Sequence, residues 1–201
     1  MTRSETHPVG QREAALVEAS TGADVPPSSD DFAQSSRPHV IELSLAMTAA
    51  DCRERWASDG ATLPVSLAVV EIGPRAGTGS DVDDVPVDCV ASADDLTGIG
   101  IALTTALESW ASADELLVRF DSVSVLLQHV DTATAFQFLH TVVGRLRGVG
   151  ARSWFYLDPS LHDEQTIATM AASRRRGVAI VVEIERSDTL DGHLVYPSMC
   201  E

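Results

Sequence analysis

LLVRFDSVSVLLQHV, residues 116–130, is the stretch on which the fold turns. Leu116–Phe120 is apolar apart from Arg119, and it stops on an acid, Asp121, followed by Ser122. A short apolar run bounded in this way reads as a strand buried on both faces, as strands of parallel sheets are. A carboxylate at its C-terminal end stands where open α/β sheets bind ligands.

Outward from this strand the same grammar repeats. Val40–Ala46, Val65–Ile72, Val85–Ala91, Arg152–Leu157 and Val178–Glu185 are further apolar runs of strand length. Helical spacing lies between them. Thr48 caps Ala49–Ser58, the Asp94-Asp95 pair opens Leu96–Trp110, and Asp131 caps a helix running to about Arg147. Leu161–Met170 reads as one more helix, with His162, Asp163 and Glu164 in its first turn. Gly98 and Gly100 are expected to let their helix pack closely. Arg174-Arg175-Arg176 reads as a basic turn and His193–Tyr196 as an edge hairpin. Alternation of strand and helix with near-continuous apolar strands predicts an α/β domain with a doubly wound, largely parallel sheet and helices on both faces. The domain is expected to span 39–201. Residues 1–38 have the composition of a flexible tail, with the linker 24–31 rich in Pro, Ser and Asp. Within that tail, 13–19 (EAALVEA) fits a short helix or strand.

The charge balance excludes several functions. Thirty acids stand against 14 basic residues, for a net charge of −16, and all 14 are arginine. Such a surface repels nucleic acid and anionic membrane. Acid excess with lysine absent is expected of a protein adapted to a salt-filled cytoplasm, where self-repulsion is screened. Without lysine there is no Schiff base and no P-loop lysine to reach nucleotide phosphates. No signal-peptide core or membrane span is present, so a cytoplasmic location is expected. The cysteines, Cys52, Cys89 and Cys200, form no C-x-x-C pair, and no firm metal site is predicted.

LLVRFDSVSVLL resembles the Walker B strand of KaiC/RecA-like ATPases, in which an apolar run ends in Asp-Ser. The helix and strand that follow, DTATAFQFLHTVVGRLRGVG and ARSWFYLD, keep that family's order of elements. DPSLHDEQT and DDLTGIGIALTTALESW look like segments of haloarchaeal KaiC-like proteins of unknown function. The resemblance covers roughly 39–186 and implies that Asp121 matches the Walker B acid. Yet G-x-x-x-x-G-K-[ST] is missing, only Thr21-Gly22 stands near its expected place, and the family's catalytic glutamate pair is not identifiable. A degenerate domain without ATPase activity, working through a protein partner or self-association, is the expectation. No cofactor is expected; Mg and ATP enter only if nucleotide binding is retained.

Two sets of side chains are candidates. Asp121 and Ser122 read as a nucleotide or metal relic, or as a strand-end cap, and the cap is favoured. Asp158, His162, Asp163 and Glu164 form the densest polar group; acids at a helix N-terminus account for it more simply than a metal site. The alternative function is a nucleotide-binding protein, or an ATPase with a non-standard site, using Asp121 and the 158–164 cluster. A small hydrolase or metal enzyme at the same strand ends is a third, although no G-x-S-x-G elbow is present.

Overall fold

The structure is a computed structural model, and it describes residues 14–18, 38–58, 64–78, 82–110, 113, 115–171 and 181–183. In chain order the strands are β1 (Ala14–Glu18), β2 (His39–Ser44), β3 (Ser66–Ile72), β4 (Val87–Val90), β5 (Leu116–Phe120), β6 (Arg152–Leu157) and β7 (Val181–Glu183). The helices are α1 (Ala49–Ser58), α2 (Leu96–Ser109), α3 (Val123–His129), α4 (Thr132–Gly148) and α5 (Glu164–Ala171), with a 3₁₀ turn at Pro159–Leu161. The strands form one parallel sheet in the order β4-β3-β2-β5-β6-β1-β7. The α/β class and the helices on both faces are as the sequence predicts.

The period of two along each strand sorts its side chains between two cores. Ile41, Leu43, Val118, Phe120, Phe155 and Leu157 point to the face covered by α2, α3 and α4. Ile99 and Leu103 of α2, Leu126 of α3, and Leu139, Val143 and Leu146 of α4 close that core. Each such side chain contributes about 1.5–3 kcal/mol on burial. Val40, Leu117, Trp154 and Tyr156 point the other way, with Cys52 and Trp56 of α1 against that face. Polar residues buried there too include Glu42, Arg119 and Arg55.

The largest departure from the sequence reading is β1. Residues 13–19 read as a short helix or strand inside a flexible tail; Ala14–Glu18 is a strand, and it lies inside the sheet, paired on both sides, with β6 and with β7. AALVE is short and flanked by acids, so local composition hides its burial. A second departure is α3, which the alternating V-S-V pattern conceals and which Ser122 starts by accepting the Val125 N–H (3.0 Å). The third concerns the glycines of α2. A side chain at Gly98 would collide with the Asp95 carboxylate that caps the helix through the Gly98 N–H. Among the described residues Gly100 has no neighbour within 4 Å of the place a Cβ would take, so none of them packs closely on it. The linker 24–31, Thr21-Gly22, Arg174–Arg176, His193–Tyr196 and Cys200 lie outside the described residues.

Candidate functional site

The chain steps from β2 outward to β3 and β4, and from β5 in the opposite direction to β6. The sheet therefore reverses its winding between β2 and β5, and the crevice outside their carboxyl ends is where a fold of this kind binds ligands. Asp121 stands there, one residue past β5. Its carboxylate is engaged. Oδ2 accepts the Ser44 hydroxyl (2.6 Å) and the Ala46 N–H (3.4 Å), and Oδ1 accepts the Leu45 N–H (2.8 Å). The Asp121 N–H donates to the Leu43 carbonyl (3.1 Å), so backbone and side chain together bind the end of β5 to the end of β2.

A second carboxylate acts alike at the next strand end. Glu71, in β3, is 2 % exposed. Its Oε1 accepts the N–H of Ala49, the first residue of α1 (2.7 Å), and its Oε2 accepts the Gly77 N–H (2.7 Å). The N-terminus of a helix is a ready anion site, and here the chain's own acid occupies it. The Gly77 backbone has φ 81°, a left-handed conformation suited to glycine, and this presents its N–H to Glu71. Thr48 and Asp51 complete the start of α1 reciprocally, with Thr48 N–H donating to Asp51 and Asp51 N–H to the Thr48 hydroxyl. The Thr48 hydroxyl holds the Asp51 carboxyl below its ordinary range. A small pocket opens between residues 45–48 and the 72–76 turn, with Glu71 and Arg75 in its lining.

The other candidates gather on the far side of β5. Ser124, in the first turn of α3, accepts the Asp158 N–H (2.8 Å) and lies 2.9 Å from His162 Nε2. Asp158 folds back on the 3₁₀ turn, accepting the N–H and hydroxyl of Ser160. Asp163 accepts the N–H of Thr166 at the start of α5, and that bond lowers its pKa. Glu164 is exposed on the first turn of α5. Asp158 and His162 are thus brought together on Ser124, whereas Asp121 faces β2, and Asp163 and Glu164 serve the start of α5. The Ser124–His162 spacing is that of a nucleophile and its base, but Ser124 is fully buried. No group of three or more His, Cys, Asp or Glu among the described residues has the arrangement to hold a metal ion.

Sequence reading missed the polar centre beneath α1. Glu42 and Arg119 are cross-strand neighbours on β2 and β5. Arg119 Nη1 lies 3.4 Å from Glu42 Oε1, which also accepts the Trp56 indole N–H (2.8 Å). The Arg119 guanidinium stacks over the Tyr156 ring at 4.3 Å. Burial alone would lower the basicity of Arg119, but Tyr156 and Glu42 outweigh it and raise the pKa. Burial, aided by the Glu42 charge, pushes the Cys52 thiol up to about 12, so this cysteine is an inert core residue. An acid and an arginine at matching positions of two apolar strands were the available signal.

Burial raises the Asp121 pKa, against the hydrogen bonds from Ser44 and Leu45, which lower it. A carboxyl raised on folding contributes stability that is fully present below its unfolded pKa of ~3.9 and lost as pH rises through the folded value. Asp121→Asn is therefore expected to flatten the fall of stability with pH that begins near ~4, because Asn keeps an acceptor for Leu45 and carries no charge. Asp121→Ala strands the Leu45 N–H and should cost about 1–3 kcal/mol. Urea titrations across pH read both effects, and equal losses in the two variants would refute the assigned role.

Residues 13–173 match the model of a family of unknown function, DUF7504, and the chain belongs to that family. No curated protein matches the chain.

Proposed function

We propose that this member of the family is a degenerate KaiC/RecA-like domain that does not hydrolyse nucleotide and works through protein contacts, in signalling or regulation. One observation carries the reading: at the crevice between β2 and β5, Asp121 spends its carboxylate on Ser44, Leu45 and Ala46. A Walker B acid must instead present an oxygen to a metal and its water. Glu71 likewise fills the anion position at the start of α1. With no lysine anywhere in the chain, the phosphate-side partner is also missing. The nucleotide-binding alternative needs Asp121 and the 158–164 group to act on one ligand, and they face different neighbours. Among the described residues no helix is long and apolar enough to cross a membrane.

The test is calorimetry with Mg-ATP in molar KCl, together with a phosphate-release assay. No binding and no turnover are expected. Micromolar binding with turnover overturns the proposal, and micromolar binding abolished by Asp121→Asn would establish the alternative.

A further inference from the structure

Beneath α1, three buried polar atoms have no hydrogen-bond partner among the described residues: Glu42 Oε2, Arg119 Nε and Arg55 Nε. The three residues are 0 %, 2 % and 8 % exposed. Leaving a buried group unsatisfied costs most when its side chain is charged, and native interiors satisfy nearly all such groups with protein or ordered water. Three of them in one polar centre call for a common explanation.

The side chains share one neighbourhood. Glu42 and Arg119 stand opposite each other on β2 and β5. They meet through a single contact, Nη1 to Oε1 at 3.4 Å. A closed arginine–carboxylate fork makes two parallel bonds of about 2.7–2.9 Å instead. The second carboxylate oxygen and the Nε–H are therefore left over. Oε1 is also committed to the Trp56 indole. Arg55 precedes Trp56 in α1, and its guanidinium reaches the Cys52 sulfur at 3.8 Å. Burial raises the pKa of the Tyr156 phenol, and the charges of Arg119, Glu42 and Arg55 all bear on that one group.

We infer that this centre is a binding site for an internal water molecule, held by Glu42 Oε2 and by the Nε–H groups of Arg119 and Arg55. The orphaned set is one acceptor and two donors. Water gives an O–H to the carboxylate and takes both N–H groups on its lone pairs, which makes the three bonds usual for an internal water. The ions of a salt medium do not fit. Chloride can accept both N–H groups, but it has nothing to donate to Oε2 and would lie against a carboxylate. Potassium can meet the carboxylate, but it would face two guanidiniums. A bridging water also accounts for the long Glu42–Arg119 contact, because it holds the pair open along one edge.

Oxygen-17 magnetic relaxation dispersion of the full chain in molar KCl tests it, because it counts waters that stay bound longer than the protein takes to tumble. Glu42→Leu/Arg119→Met removes two of the three partners. It is expected to lose one long-lived water relative to wild type, with unchanged circular dichroism, and an unchanged count overturns the inference. Rotating-frame spectra of the wild type labelled with nitrogen-15 arginine decide the matter if that variant does not fold. The Nε–H protons of Arg119 and Arg55 are expected to show direct dipolar cross-peaks to water, and absence at either one overturns the bridge. Chlorine-35 relaxation separates the remaining occupant: broadening in wild type that vanishes in the double variant would place chloride there and overturn the assignment to water.

Discussion

Glu42→Ala is expected to cost about 3–5 kcal/mol of folding stability, the loss typical of removing one partner from a buried ion pair. The substitution leaves the Arg119 charge 2 % exposed with no carboxylate beside it, and it also removes the acceptor of the Trp56 indole. Arg119→Ala should cost a similar amount, since it strands the Glu42 carboxylate and empties the space over Tyr156. Glu42→Leu combined with Arg119→Met should recover most of either loss, because an apolar pair of similar volume avoids the desolvation of both charges. Urea midpoints at one salt concentration, with unchanged slope, measure all three. A loss below about 1 kcal/mol for Glu42→Ala would mean that the pair is not closed in solution. Cys52 supplies an independent check, because any opening of this centre exposes a thiol that is otherwise fully buried.

Lowering KCl from about 1 M to 0.1 M is expected to cost several kcal/mol and to lower the thermal midpoint by roughly 10 °C or more. The Debye length lengthens over that range from about 3 to 10 Å, so acids that ignored one another begin to repel. For a domain of this size ~1 kcal/mol corresponds to roughly 2–4 °C. Thirty acids against 14 arginines leave few counter-charges to offset the effect. NaCl and KCl should act alike if screening is the cause. A midpoint that rises or holds steady as salt is removed would dispose of the salt-adaptation reading.

Most of the sheet was legible because its strands are apolar on both faces. Leu116–Phe120 and Arg152–Leu157 stand out without any knowledge of their neighbours, and Asp131 marks the start of α4 by its capping chemistry alone. Ala14–Glu18 was legible only as a short helix or strand; its place between β6 and β7 was not, because the residues that enclose it lie more than 130 positions away. Asp121 was legible as a strand-end acid. Which way its carboxylate turns depends on Ser44, 77 positions away, and no local pattern encodes that. Glu71 stands in an otherwise apolar strand for the same reason: the groups that satisfy it belong to α1 and to a turn.

The place of β1 in the sheet has a consequence for synthesis. This strand leaves the ribosome before the rest of the sheet, yet its partner in register with Ala14 is Ser153, 139 positions later. At about 5–20 residues per second the wait is roughly seven to thirty seconds. Val181, on its other side, arrives later still. Through that interval β2, β3 and β5 can pair among themselves, while AALVE has nothing to pair with and the flank of β6 stays open even after it forms. The last event in assembling the sheet is therefore the insertion of its first-made strand between its two last-made ones. A nascent chain stalled after about residue 150 should be open to protease at β1 and closed across β2, β3 and β5.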